Sequence, residues 1–134
     1  MTDEASWQLP EGVAADVYDT RCPSRQVLDR IGDKWTTLLT GALSQGTRRF
    51  SELARDVPGI SQKMLTSTLR SLERDGMVER RLHAAVPPKV EYTLTPLGEG
   101  LEEVHRGLRT WAEAHIEAIE TARLRYAATA AGPR

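Results

Sequence analysis

Cys22 is the sole cysteine among 134 residues, so no disulfide can close within the chain. That points to a reducing compartment, the cytoplasm. No apolar run approaches the ~20 residues that cross a bilayer, so no membrane partner is expected. The N-terminus, MTDEASWQLPEG, is acidic and lacks the basic-then-apolar order of a signal peptide. No glycine-rich phosphate loop is present, and no nucleophile has an identifiable orienting partner, so an enzyme is not expected. The three histidines, His83, His105 and His115, make no metal site. The last two lie about 15 Å apart along one helix, and His105 reads as exposed. Neither a metal nor a cofactor is expected, and no internal repeat is found. Net charge is almost lacking too: 18 basic and 19 acidic residues give −1, which on its face argues against a polyanion partner.

What is present is ordinary for one folded domain: 40% hydrophobic and 28% charged residues. At this size roughly two thirds of the unfolded surface can be buried, so a core needs no covalent support. The charge, however, is segregated. Residues 1–23 carry net −4, residues 24–90 net +5, and residues 91–134 net −2. A basic centre between acidic ends is the electrostatic footprint of a nucleic-acid site.

The order of elements sharpens this reading. Residues 1–15 show no periodicity. A short helix is predicted over about 23–32, with Val27, Leu28 and Ile31 on one face. A second covers about 34–44, where Trp35, Leu38, Leu39, Ala42 and Leu43 follow helical spacing and Gly46 ends the run. Arg48, Arg49 and Phe50 read as a short extended piece. Ser51 then suits the N-cap of a third helix burying Leu53, Ala54 and Val57. Pro58-Gly59 forces a turn. Ser61 caps a fourth helix with Ile60 and Leu65 in staple positions, a stripe of Leu65, Leu69 and Leu72, and Gly76 at the C′ position. Two alternating strands follow, Val78–His83 and Lys89–Leu94, around a loop ending in Pro87-Pro88. Thr95-Pro96 opens a long helix.

Helix, tight turn, helix and β-hairpin in this order form a winged helix-turn-helix. The fold class is therefore mainly α with a small β-hairpin (α+β). The fourth helix takes the recognition position, with Ser61, Gln62, Lys63, Thr66, Ser67 and Arg70 offering donors and acceptors to a major groove. Arg48, Arg49, Arg80, Arg81, His83 and Lys89 are placed to meet phosphate in double-stranded DNA. Winged helices also serve as protein-interaction modules, but such a module would not need basic residues on both helix and wing.

From 96 to about 125 the chain reads as one helix, roughly 45 Å long, more than its own domain needs. Leu97, Leu101, Val104, Leu108, Trp111, His115, Ala118 and Ala122 approximate a heptad seam, widened by Ile116 and Ile119. A homodimer would bury this stripe and suit a palindromic site. Leu101, Val104, Leu108, Trp111, His115, Ile116 and Ile119 are its candidate interface. The chain thus divides into an arm (1–19), a DNA-binding domain (20–95), a dimerisation helix (96–126) and a disordered tail (127–134). A small-molecule pocket between dimerisation helices and winged domains is an alternative way to gate such a protein. Trp35, Trp111 and Tyr18 suit its lining, although the core is the commoner place for such side chains.

Several segments together carry a family pattern: Cys22-Pro23, Ile31–Trp35, Arg48–Leu53, Pro58–Ser61, Leu69–Glu73, Gly76–Arg80 and Val86–Gly98. In this order they strongly resemble the HxlR-type transcriptional regulators, close to the MarR-like group, over about residues 20–112. The resemblance implies a homodimeric bacterial regulator, repressor or activator, bound near promoters. It also places a cysteine just before the first helix, where some members sense oxidants, quinones or aldehydes. Cys22 stands there. As an N-cap beside Arg21 and Arg25, it would lie at the positive end of the helix dipole, which favours the thiolate. A resolving partner would be the other subunit's Cys22 or a small thiol. A lone cysteine is also often a buried small hydrophobe.

Overall fold

The computed structural model describes residues 6–131. The acidic residues Asp3 and Glu4 and the last three residues of the expected tail lie outside them. Turns without regular structure occupy residues 6–23. Then come α1 (Ser24–Ile31), α2 (Lys34–Leu43), β1 (Arg48–Arg49), α3 (Phe50–Asp56), α4 (Gln62–Arg74), β2 (Val78–His83), β3 (Lys89–Leu94) and α5 (Pro96–Ala131).

Local chemistry sets most of these boundaries. Asp33 caps α2 by accepting from the Trp35 and Thr36 N–H groups, and Ser61 caps α4 by accepting from Met64 N at 3.0 Å. α4 ends in a Schellman turn: Met77 N donates to Leu72 O and Gly76 N to Glu73 O. Gly76 holds φ +78°, a conformation that a side chain would strain.

Three local expectations are corrected. The third helix is not capped by Ser51. Arg49 is held extended by pairing with Glu91, so α3 begins at once with Phe50, and Arg49 N donates to Glu52 Oε1 at 2.8 Å. Leu53 and Val57, four apart, face the core and leave Ala54 exposed. The long helix continues through Ala131, into the stretch expected to be disordered. Its last residues include four alanines, the strongest helix formers.

The extended piece at Arg48–Arg49 becomes a third strand. The antiparallel sheet has the order β1-β3-β2, with Val78 opposite Leu94 and Arg80 opposite Tyr92. One core joins all layers: Leu39 and Leu43 from α2, Leu53 and Val57 from α3, Leu65, Leu69 and Leu72 from α4, and Val78, Tyr92 and Leu94 from the sheet. Leu101 of α5 packs against it. α4 is therefore fixed on its apolar face and free on its polar one.

Candidate DNA-reading face

The buried stripe Leu65–Leu69–Leu72 turns the rest of α4 outward. Gln62, Lys63, Ser67 and Arg70 are exposed, with Thr66 half-buried at the edge. Ser71 and Arg74 extend the same face, and line one shallow groove with them. They belonged to the pattern as well: Ser71 follows Ser67, and Arg74 follows Arg70, by four residues.

The hairpin divides the wing cations between its two faces. Residues paired across an antiparallel ladder share a side, so Arg80 lies with Tyr92, towards α4. Gln62, Thr66, Arg70 and Glu73 of α4 meet Phe50, Arg80 and Tyr92 around a hollow of about 510 Å³. Arg81, His83 and Lys89 lie on the other side, where acids already engage them. Arg81 meets Glu79 at 2.6 Å, and Glu91 holds His83 at 2.6 Å and Lys89 at 3.8 Å. Arg48 is half-buried and bridges to Asp56 at 3.4 Å, while Arg49 is exposed. The structure thus gathers Gln62, Lys63, Thr66, Ser67, Arg70 and Arg80 into one surface. It sets Arg81, His83 and Lys89 apart from it.

Cys22 differs from expectation. The N-cap of α1 is Pro23, and Cys22 is buried at 2% exposure, one residue earlier. Its neighbouring cations are occupied: Arg21 forms a two-pronged pair with Asp19, and Arg25 reaches Tyr18 O at 3.4 Å. The thiol still sits below its ordinary range. The Ser24 hydroxyl, 3.0 Å from Sγ, is the main cause, followed by backbone hydrogen bonds at Asp16 and Ser24, while burial and then the Asp19 carboxylate oppose them. Hydrogen bonding replaces the expected arginine effect.

Along α5, Val104, Leu108, Trp111, His115 and Ile116 are exposed, and Ile119 is half-buried. His115 stacks on Trp111 at 4.5 Å between centroids, and its Nδ1–H donates to the Trp111 carbonyl at 2.8 Å. Leu101 is corrected out of this seam, because it packs on its own domain. Trp111 and Tyr18 are exposed rather than core. His105, read as exposed, is buried at 1%. Its Nε2–H donates to Ile31 O at 2.6 Å, and Nδ1 accepts from the Thr40 hydroxyl at 2.7 Å. Beside it Glu102, also buried, takes both prongs of Arg109 at 3.0 and 2.7 Å. No helical stripe marks these polar side chains as interior, so periodicity missed them.

A helix presenting polar residues beside a β-hairpin matches a known protein family. The family model described as HxlR-like helix-turn-helix fits residues 30–120. The chain belongs to this family. It is similar to the HTH-type transcriptional regulator YtfH of Escherichia coli K12, 43% identical over 114 residues that cover 85% of this chain and 88% of that one. Among solved structures, the transcriptional regulator ytfH from Salmonella typhimurium superposes with TM-score 0.77 at 40% identity, over 82% of this chain and 98% of that one. The redox regulator HypR in its reduced form gives TM-score 0.67 at 42% identity, over 74% and 98%. The protein is a transcriptional regulator of the helix-turn-helix type, with the α+β winged-helix fold of its relatives. No described helix is long and apolar enough to cross a membrane.

Proposed function

We propose that two copies of the chain pair through α5 and bind a pseudo-palindromic duplex near a promoter in the cytoplasm. The observation that carries this reading is the single surface joining Gln62, Lys63, Thr66, Ser67 and Arg70 of α4 to Arg80 of the wing. Its side chains suit base edges and phosphates at once. Arg49, opposite Glu91, lies on the other side of the sheet with Arg81, His83 and Lys89; these and Arg48 add phosphate contacts where DNA reaches round the wing and displaces the carboxylates that hold all but Arg49. Pairing rests on the exposed Val104, Leu108, Trp111, His115 and Ile116 with Ile119, an apolar stripe that water would otherwise cover. Two-fold pairing sets recognition helices one turn of DNA apart, ~34 Å.

Cys22 is the candidate for control, supported by likeness to a redox regulator and by the hydrogen bonds that favour its thiolate. With a quinone, the sulfur adds to a ring carbon, one ring oxygen takes up the thiol's proton, and the hydrogen of the attacked carbon shifts to the other oxygen, leaving a hydroquinone thioether. Cys22 is buried, so the chain around its thiol must open first, and the turn before it is tied by short-range contacts such as Asp19–Arg21 at 2.8 Å.

The test is binding to the DNA upstream of the protein's own gene, with and without benzoquinone. Expected are a dimer on the DNA, a loss of about 1–3 kcal/mol for Arg70→Ala, and release by benzoquinone that Cys22→Ser abolishes. Unchanged binding by Arg70→Ala would overturn the reading face. Release that persists in Cys22→Ser would remove the thiol.

A further inference from the structure

The α5 helix touches its own domain only over its first part. Leu101, Glu102, His105 and Arg109 point inward, and residues beyond Arg109 are exposed apart from half-buried Ile119. From Arg109 to Ala131 the helix projects about 33 Å. A tilt of about 5° at the joint therefore moves its end by about 3 Å, close to one base-pair rise. If recognition helices are linked through this lever, the joint must be held to a few degrees.

Apolar contact alone is poorly suited to that. Burial is non-directional, and the α2 surface under α5 is small-featured, with Gly41 and Ala42. A Cβ at Gly41 would lie 2.8 Å from the Arg109 guanidinium carbon, so the guanidinium lies against bare backbone. Direction comes from the polar groups. His105 spans two elements at once, donating to the end of α1 at Ile31 O and accepting from Thr40 on α2. One turn on, Arg109 grips Glu102 and donates to Thr37 O at 2.6 Å. Arg106 adds a third charge at 3.6 Å from Glu102. His105, Thr40 and Glu102 are each at most 2% exposed, so water does not compete for these bonds.

We infer that this buried clasp, His105 on Thr40 and Ile31 with Arg109 on Glu102 and Thr37, sets the angle between the reading head and α5. It thereby selects the half-site spacing that the dimer accepts. The clasp residues are positioning residues and do not touch DNA. The inference rests on the operator-binding dimer proposed above.

The test uses the full chain and duplexes carrying two copies of a half-site selected from random DNA by the wild type. Their centre-to-centre spacing is varied in single base pairs around one helical turn. Wild type should prefer one spacing by about tenfold over its neighbours, since forcing the DNA to fit costs deformation energy. Thr40→Val keeps the shape and removes the donor to His105. Glu102→Leu with Arg109→Leu removes the ion pair. Both should bind a single half-site within about twofold of wild type, yet flatten the spacing preference to about threefold or less. A merely structural clasp would lower the melting temperature and leave the spacing ratio alone, and that result overturns the inference. Should the double variant fail to fold, Thr40→Val decides. A wild type that dimerises but shows no spacing preference overturns the clasp alone, whereas a monomeric wild type overturns the dimer reading and the clasp with it.

Discussion

The face of α4 and the joint beneath α5 use the same kinds of residue in opposite ways. On α4, Lys63, Ser67 and Arg70 are exposed, and their helix is held by leucines on the other side. At the joint, Glu102, His105 and Thr40 are enclosed, and each polar atom that lost water has a protein partner. A charge in water can be deleted with little effect on the fold, whereas an enclosed charge is bound to its partner's fate. The difference separates an exposed polar face from an enclosed polar joint within one small domain.

The sharpest way to break the comparison is to strip one member of the enclosed pair. Arg109→Leu leaves buried Glu102 with only the exposed Arg106, 3.6 Å away, as counter-charge and should cost up to about 3–5 kcal/mol in chemical denaturation. Adding Glu102→Leu should recover most of that loss, because two apolar side chains leave nothing unpaired. A single variant as stable as wild type would show that the joint is open to water after all.

Acid offers a gentler probe. Burial holds His105 below the ordinary histidine value of 6.5, although the Ile31 hydrogen bond and Glu102 oppose it. The folded state therefore takes up this proton less readily than the unfolded chain. Its stabilisation is present above pH 6.5 and is lost as pH falls through the folded value. Burial would raise the Glu102 carboxyl, but Arg109, with help from Arg106, holds it below its ordinary 4.5. Its share is present above pH 4.5 and disappears below. Melting temperature should fall from pH 7.5 to 5, and the fall should be shallower in His105→Gln. Parallel curves for the two proteins would remove His105 as the cause.

The smallest effect is expected within the wing. Arg80 stands by the α4 hollow, whereas Arg81 is already neutralised by Glu79 at 2.6 Å. Arg80→Ala should reduce the salt dependence of DNA binding by about one unit of slope. Arg81→Ala should change it less. Equal changes would mean that DNA displaces Glu79 fully and that the two faces of the hairpin act alike.

Much of this was legible in the residues. The α4 stripe, its Ser61 cap and Gly76 terminus are local signals, and each falls where spacing put it. So does the alternation of the hairpin, whose Arg80 and Arg81 had to point to opposite sides. The central net charge of +5 marked the segment that holds α4 and most of the hairpin despite a total of −1. What spacing could not reveal was which partners meet across long separations. His105 and Thr40 are 65 residues apart, His105 and Ile31 are 74, and the Arg109–Thr37 contact spans 72. The third strand depends likewise on Arg48 reaching Tyr92.

Sequence by itself determined the elements, their order and the outward chemistry of α4, because caps, turns and periodicity act over a few residues. Only the tertiary structure decided that Cys22 is buried with its arginines engaged elsewhere, and that a histidine on a long helix is buried and bonded to both α1 and α2. The physical reason is that a polar group's worth depends on water. Whether water reaches it is settled by segments that are far away along the chain.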